Sequence, residues 1–298
     1  MADWSETWTW FDGKWHEGNV PISGVRSHAT WLGSSVFDGG RMFEGVMPDM
    51  DLHAERVNRS AKSLGLSPTM QAGEILDLAK EGVGKFVSDD ALYVRPMYWA
   101  EEGGFMGVPP EAGSTQFCLC IHVTPMPEPT GFTSMISSIR RPAPDQAPVD
   151  AKAGCLYPMG GRAMGEAQQH GFQNAIVLDA IGNVAEFATA NLWTAKDGVA
   201  YTPAPNGTFL NGITRQRVIK LLREAGTEVV EKVMTVADVL EADEVFSTGN
   251  YSKVMPVTSV GDKKFDIGPI AQNRVIFIGT SPTRLKTQVV EHLSLIHI

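Results

Sequence analysis

The sequence predicts a mixed α/β protein of two domains, and three observations lead to this prediction. The chain of 298 residues is longer than one hydrophobic core usually supports. Segments rich in β-branched and aromatic residues alternate with segments whose apolar residues recur at helical spacing. Between two such groups, VTPMPEPTG carries three prolines in nine positions, as linkers do. We expect a small α/β domain over 1–123, a linker over 124–131 and a larger domain over 132–298.

The first domain is expected to combine a strand hairpin, two helices and two longer strands. TWFDGKWHEG (9–18) is typical of two short strands around an Asp-Gly turn. DLHAERVNRSAKSLGL (51–66) and AGEILDLAKEGVGKF (72–86) have the spacing of amphipathic helices. ALYVRPMYW (91–99) and STQFCLCIHVT (114–124) are β-rich, and EEGGFMGVPPEAG between them indicates a loop.

The second domain is expected to begin with a strand around SMISSI, followed by a proline-containing loop and a helix through GGRAMGEAQQHG. Strands are predicted at NAIVLD, NVAEF and ANLWTAKDGVAYTP. NGITRQRVIKLLREAG predicts an amphipathic helix that opens after a glycine. VADVLEADEVFSTGN and SKVMPVTSV predict a further helix and strands.

Composition excludes several classes of function. The net charge of -9 and the short basic run RRP at 140–142 argue against a nucleic-acid partner, which needs a concentrated basic face. The sequence contains no apolar run of membrane-spanning length and no signal-peptide pattern at its start, which favours a cytoplasmic protein. The 3 cysteines cannot form a disulfide framework, and we predict no metal site.

Three features of the predicted second domain share one chemical explanation. Lys152, in DAKAGCLYPMGGRAM, is an isolated amine that can attack an aldehyde. Glu186 is a lone carboxylate in an apolar strand and needs a cationic partner. The helix start at Gly212-Ile213-Thr214 offers backbone N–H groups to a phosphate. Pyridoxal phosphate would satisfy all three. A solvated lysine, a carboxylate paired with a base on a neighbouring strand and an ordinary capped helix are the alternative interpretations.

Longer motifs carry a family resemblance. AKAGCLYPMGGRAMGEAQQHGFQNAIVLDAIGNVAEFATANLW, FLNGITRQRVIKLL and EADEVFSTGNYSKVMPV follow SHATWLGSSVFDGGR, LHAERVNRSAKSLGL and LYVRPMYW in order. This order, over roughly residues 8 to 271, closely resembles the fold type IV (class IV) aminotransferases, branched-chain aminotransferases above all. The resemblance implies the two-domain architecture of that family and pyridoxal phosphate as cofactor.

The resemblance also implies roles for the cofactor residues. Lys152 would bond the cofactor aldehyde and move a proton between the substrate Cα and the cofactor. Tyr157 would donate to the cofactor's phenolic oxygen, and Glu186 would keep its pyridine nitrogen protonated. The phosphate would be bound by Arg56 and by Ile213 and Thr214, with Asn250 in a turn beside it.

Substrate contacts follow the branched-chain pattern with departures. Phe37, Gly39 and Arg41 in VFDGGR, and Tyr93 and Arg95 in YVR, agree with the pattern and would shape the pocket and receive the α-carboxylate. Leu32 stands where an aromatic residue is usual, Leu156 replaces an asparagine, and Gly249-Asn250-Tyr251 replaces a Gly-Thr-Ala turn. We also expect 273–298, which lacks the family's last helix and ends in LSLIHI, to be a non-native tail.

The resulting prediction is a homodimeric aminotransferase that moves an amino group from an apolar, branched-chain-like L-amino acid to a 2-oxo acid. An (R)-selective amine transaminase or a D-amino-acid transaminase is the first alternative, since they share the fold and cofactor. A lyase of the aminodeoxychorismate type is the second, and a non-catalytic pyridoxal-phosphate carrier is the third.

Overall fold

The structure is a computed structural model, and it describes residues 3–87 and 90–272. The expected tail at 273–298 lies outside the described residues. The helices are α1 (His28–Leu32), α2 (Met50–Ser63), α3 (Ala72–Val83), α4 (Tyr157–Gln169), α5 (Ile213–Glu224) and α6 (Val236–Leu240). Short 3₁₀ turns occur at Phe105–Gly107, Ala112–Ser114 and Gly154–Leu156.

Most of the described strands pair in antiparallel orientation. They are β1 (Thr7–Phe11), β2 (Lys14–Glu17), β3 (Ser35–Phe37), β4 (Gly40–Met42), β5 (Leu92–Ala100), β6 (Thr115–Val123), β7 (Phe132–Arg140), β8 (Asn174–Leu178), β9 (Val184–Phe187), β10 (Asn191–Lys196), β11 (Val199–Pro203), β12 (Val229–Lys232), β13 (Glu244–Gly249), β14 (Lys253–Val260) and β15 (Lys263–Lys264). The mixed α/β class is confirmed.

The described chain clusters into two compact units. The first contains the residues up to Met126 together with Ala151–Cys155, and the second contains Pro127–Asp150 and the described residues from Leu156 onward. Lys152, which we expected in the second domain, therefore belongs to the first unit. The reason is a long-range backbone pairing: Ala153 forms a β-bridge with Val36, and the Phe37 N–H donates to the Lys152 carbonyl at 3.1 Å. The linker over 124–131 stays a proposal.

The first unit is organised around a sheet with the order β2-β1-β6-β5-β3, in which β4 also pairs with β5. The predicted hairpin is confirmed, because Asp12 and Gly13 adopt positive φ values of 52° and 74°, as a tight turn between twisted strands requires. Alternation along β5 buries Leu92 and Val94 on one face and turns Tyr93 to the other. This second face carries the polar side chains described below.

The second unit contains a sheet with the order β12-β11-β10-β13-β14-β7-β8-β9, and β15 extends it from β14. Its largest apolar cluster includes Ile176, Phe187 and Leu192, and a second cluster packs α5 against Trp193 and Phe246. Asn191 and Thr248 are paired across β10 and β13, so the start of one strand lies beside the end of the other.

The predicted long elements are present, and the unpredicted ones are short. Strands β5 and β6 and helices α2, α3 and α5 lie where the sequence predicts them, and α4 starts earlier, at Tyr157. The sequence does not predict α1, β3, β4 or β12, which have 5, 3, 3 and 4 residues. Such short elements carry no full period of a hydrophobic pattern, so tertiary pairing decides them.

Candidate active site

Backbone pairing holds the Lys152 main chain in the first unit. Its N–H donates to the Ser60 hydroxyl of α2 at 3.0 Å, and its carbonyl accepts the Phe37 N–H. The side chain is half-buried, and its Nζ lies 4.8 Å from the centre of the Phe37 ring. Two backbone contacts thus fix the base of a side chain whose amine rests on an aromatic face.

The side chain of Arg56 in α2 is held by the carboxylate of Asp38, to which the sequence analysis assigned no role. Arg56 Nε and Nη2 donate to the two oxygens of Asp38 at 2.7 and 2.8 Å, and His53 Nδ1 lies 2.7 Å from the same carboxylate. Burial alone would raise the pKa of Asp38, but the charges of Arg56 and His53 and their hydrogen bonds hold it well below its ordinary value. The bidentate pair orients the guanidinium, which was predicted to bind phosphate.

The predicted carboxylate-binding residues are brought together on one face of the first sheet. Arg41 is opposite Tyr93 in the β4–β5 pair, and Tyr93 is opposite His122 in the β5–β6 pair. Arg95 lies over the Tyr93 ring at 5.4 Å, and its Nη2 is 3.4 Å from His122 Nε2. The buried Arg41 is anchored further by the Thr124 carbonyl at 2.8 Å. This face offers two guanidinium groups to an anion.

Close packing around Tyr93 explains a glycine in the VFDGGR motif. A Cβ on Gly39 would lie 2.1 Å from the Tyr93 hydroxyl, so a larger residue would displace the phenol. Phe37 lies on β3, next to the Lys152 segment. Leu32 ends α1 and is exposed, together with Trp31.

His122 is a polar member of this face that the sequence interpretation missed. Burial and the charges of Arg95 and Arg41 lower its pKa to about 4. The ring is therefore neutral near pH 7. Because arginine only donates, His122 Nε2 accepts from Arg95 and the hydrogen sits on Nδ1. A neutral histidine here adds a dipole without adding a third positive charge.

In the second unit, Glu186 of β9 has the basic partner that one alternative interpretation anticipated. Its Oε1 lies 3.4 Å from Arg141 Nε, and each side chain is 13% exposed. Arg141 is itself fixed by donation to the Thr208 carbonyl at 2.9 Å. Asn191 Nδ2 lies 3.4 Å from Glu186 Oε2 and donates to the Leu210 carbonyl at 2.9 Å. These contacts keep the carboxylate in place at the edge of solvent.

The start of α5 lies beside the same asparagine. A Cβ on Gly212 would meet Asn191 Oδ1 at 2.1 Å, so a larger residue would displace the Asn191 carboxamide. Ile213 and Thr214 form the buried first turn, and among the described residues no side chain caps it by a hydrogen bond. The first N–H groups of a helix have no partner within the helix, and they favour an anion. This start is suited to a phosphate.

The remaining predicted residues are on or next to turns of the second unit. Tyr157 is the exposed first residue of α4, followed by Pro158, which is favourable in a first turn. Asn250 and Tyr251 form the turn between β13 and β14, where Tyr251 is 56% exposed and Asn250 accepts from Lys253. An exposed ring on this turn is a departure from the expected small residue.

The sequence carried weak signals for the residues that were missed. Asp38 lies inside the VFDGGR motif. Arg141 belongs to the RRP run, a short basic segment that argued against a nucleic-acid partner. Their partners are 18 and 45 positions away in the chain. Only the pairing of strands and helices reveals such partners.

Known proteins resemble this chain in sequence and in fold. Residues 35–260 match the family model described as amino-transferase class IV. The branched-chain-amino-acid aminotransferase of Escherichia coli K12 is 35% identical over 264 residues, which cover 84% of each chain. A solved aminotransferase from Brucella abortus bound to PLP is 52% identical with a TM-score of 0.89, covering 95% of this chain and 98% of that one. The branched-chain aminotransferase of Thermoproteus uzoniensis with norvaline is 28% identical with a TM-score of 0.83, covering 91% and 93%. With the family model spanning most of its length, this chain belongs to the class IV aminotransferases.

Proposed function

We propose that the protein is a pyridoxal-phosphate-dependent aminotransferase that moves an amino group from an apolar L-amino acid to a 2-oxo acid. The observation that carries the substrate class is the pair of guanidinium groups, Arg41 and Arg95, on one sheet face with Tyr93 between them. Such a face receives a carboxylate, which an L-amino acid and a 2-oxo acid both have and a simple amine lacks. The E. coli relative is named a branched-chain-amino-acid aminotransferase, and the T. uzoniensis structure contains norvaline.

The residues present fit pyridoxal phosphate. The start of α5 has backbone donors for a phosphate, Arg56 is a buried guanidinium held in orientation, and Glu186 is a carboxylate able to accept an N–H. When bound, the cofactor supplies a carbonyl for the amine and a ring that withdraws electrons from the substrate Cα. These residues therefore complement the phosphate and the ring N–H of this cofactor.

Each residue then has a task that its environment supports. The Lys152 amine takes the proton from the substrate Cα and returns it on the cofactor side, acting as base and then as acid. The Glu186 carboxylate would accept the ring N–H, and Arg141 Nε lies 3.4 Å from its Oε1. Tyr157 donates to the phenolic oxygen, Ile213 and Thr214 donate to phosphate, and Asn250 assists them. Arg41, Tyr93 and Arg95 orient the carboxylate, with Phe37, Leu32 and Tyr251 as walls.

We further propose a cytoplasmic homodimer. Among the described residues, no helix has the length and apolar character to cross a membrane.

Trp31 and the segment at Phe105, Met106 and Val108 are strongly exposed. His28 connects them, because its Nε2 lies 3.1 Å from the Val108 carbonyl and its ring lies edge-on to Trp31. An apolar patch of this kind favours burial against a second copy. Sedimentation should give a dimer, and an active monomer at assay concentration would contradict it.

A substrate panel tests the proposed reaction. The purified holoenzyme is assayed with L-leucine, D-leucine and both enantiomers of 1-phenylethylamine, each with 2-oxoglutarate, and Lys152→Ala serves as the inactive reference. Exposed Lys62 of α2 gives the matched control Lys62→Ala, which should keep full activity. We expect turnover of L-leucine, weaker turnover of the (R)-amine and none of the (S)-amine. Turnover of (R)-amines without L-amino acids would replace the proposal by the amine transaminase. Release of pyruvate from aminodeoxychorismate in a separate assay without a 2-oxo acid would replace it by the lyase.

A further inference from the structure

The second unit contains a buried lysine to which the proposed mechanism gives no task. Lys253 begins β14 immediately after the turn and is only 6% exposed. Its φ of 61° lies in the left-handed region, which side chains other than glycine rarely adopt. A buried ammonium is costly unless it is hydrogen-bonded, and Lys253 Nζ donates to Asn250 Oδ1 at 2.8 Å. A buried cation in a strained backbone conformation thus donates to the neighbouring carboxamide.

This contact decides the orientation of Asn250. An ammonium group only donates, so the Asn250 atom facing Lys253 is the carbonyl oxygen and the NH₂ points the other way. Among the described residues, Asn250 Nδ2 is buried and has no hydrogen-bond partner. A buried NH₂ group without an acceptor is unfavourable, and native proteins rarely keep one without a ligand or water. The Asn250 amide is therefore a committed donor that needs an acceptor.

The turn lies next to the other donor group of this unit. A Cβ on Gly249 would be 3.4 Å from Ala190 Cβ, so the turn packs on the residue before β10. The next residue, Asn191, packs against Gly212 at the start of α5. Gly249, which precedes Asn250, and Gly212, which precedes α5, thus lie against the adjacent residues Ala190 and Asn191. The first N–H groups of α5 and the Asn250 NH₂ group, whose carboxamide is held by the Lys253 ammonium, would together favour a bound oxyanion.

We propose that Lys253 is a positioning residue that orients the Asn250 carboxamide as a donor to an oxyanion bound beside the start of α5. The inference rests on the proposed function only for the identity of the oxyanion, which is the cofactor phosphate or the substrate carboxylate. The expected Gly-Thr-Ala turn offers a hydroxyl that rotates freely, whereas a carboxamide has to be fixed in one of two orientations. Lys253 supplies that fixation.

The test compares oxyanion ligands with matched ligands that lack the charge. Apoenzyme is titrated with pyridoxal phosphate and with pyridoxal, and holoenzyme with 4-methylvaleric acid and with its neutral amide. Lys253→Met should weaken one of the two oxyanions about tenfold and leave its uncharged counterpart unchanged. A loss for pyridoxal phosphate identifies the phosphate, and a loss for 4-methylvaleric acid identifies the carboxylate. Lys264→Met, which removes an exposed charge on β15, should change neither.

A double-mutant cycle separates positioning from a direct contact or a general structural effect. In the Asn250→Ala background the tenfold loss from Lys253→Met should disappear, because Lys253 acts through Asn250. Equal affinities in every arm, or a loss that persists in the Asn250→Ala background, overturns the proposal. If Lys253→Met does not fold, Lys253→Asn replaces it, since asparagine tolerates positive φ. If the wild type binds no pyridoxal phosphate, the proposed function fails, and calorimetry with inorganic phosphate tests the oxyanion site by itself.

Discussion

Each unit contains a carboxylate paired with an arginine, and the two pairs differ in geometry and in which partner is available to a ligand. In the first unit Asp38 is fully buried, and Arg56 meets it with two contacts of 2.7 and 2.8 Å. In the second, Glu186 and Arg141 share one contact of 3.4 Å, and both reach solvent. A bidentate pair fixes the orientation of the arginine, whereas a carboxylate at the edge of solvent can be reached by a ligand. The first pair is thus built to position a cation and the second to present an anion.

Removing the charge of the tight pair should have the largest effect on stability. Asp38→Asn leaves Arg56 and His53 buried without their counter-charge, so we expect the free energy of unfolding to fall by about 3 kcal/mol. Chemical denaturation measures it. The matched control is Asp77→Asn, which breaks an exposed pair with Lys80 and should cost about 0.5 kcal/mol. Equal losses in the two variants would show that the buried pair contributes no more than a surface pair.

The same carboxylate predicts a pH dependence with a defined sign. Because the folded chain holds the pKa of Asp38 well below its ordinary value of 3.8, the unfolded chain binds more protons in acid. The stability from Asp38 is therefore complete above about pH 5 and declines as the pH falls through the ordinary carboxyl range. Denaturation of wild type and Asp38→Asn between pH 7 and 3 should give curves that converge in acid. A constant difference over that range would refute the assignment.

Removing the charge of the looser pair should affect turnover rather than stability. Glu186→Gln keeps the shape of the side chain but removes the anion that would hold a proton on the cofactor nitrogen. We expect turnover to fall on the order of 10²-fold or more, with a small change in the melting temperature. Steady-state assays and thermal denaturation check both. If turnover stays within a few-fold of wild type, the proposed role of Glu186 is wrong.

Arg141 should contribute less than Glu186, because it acts on the carboxylate and not on the ligand. Arg141→Met removes the neighbouring charge, and we expect about a tenfold loss of turnover that Arg141→Lys partly restores. The absorbance titration of the bound cofactor with pH should shift in Arg141→Met but not in the exposed-residue control Arg223→Met. A loss as large as that of Glu186→Gln would mean that Arg141 itself contacts the reacting groups.

The sequence suggested candidate ligand-binding residues but not the residues that orient them. Tyr93 and Arg95 are two positions apart on one strand, so they share a sheet face wherever that strand pairs. Asp38 and Arg141 orient Arg56 and Glu186 from distant parts of the chain, and no local period links such partners. The lysine segment joined the first unit through a bridge between Ala153 and Val36, a long-range pairing that propensities do not encode.

The two buried histidines extend the comparison and give the smallest expected effect. His53 Nδ1 lies 2.7 Å from the Asp38 carboxylate. His122 lies beside Arg95, and burial together with the charges of Arg95 and Arg41 lowers its pKa to about 4. A neutral His122 accepts a hydrogen from Arg95, so it orients that guanidinium without competing for the substrate anion. His122→Phe should therefore raise the KM for 2-oxo acids a few-fold, equivalent to roughly 1 kcal/mol, and leave kcat near wild type. Because the ring is already neutral, the ratio of variant to wild-type kcat/KM should be constant between pH 6 and 9. A ratio that changes as pH rises through the ordinary histidine range would show that His122 is charged at the start and that the arginines do not control it.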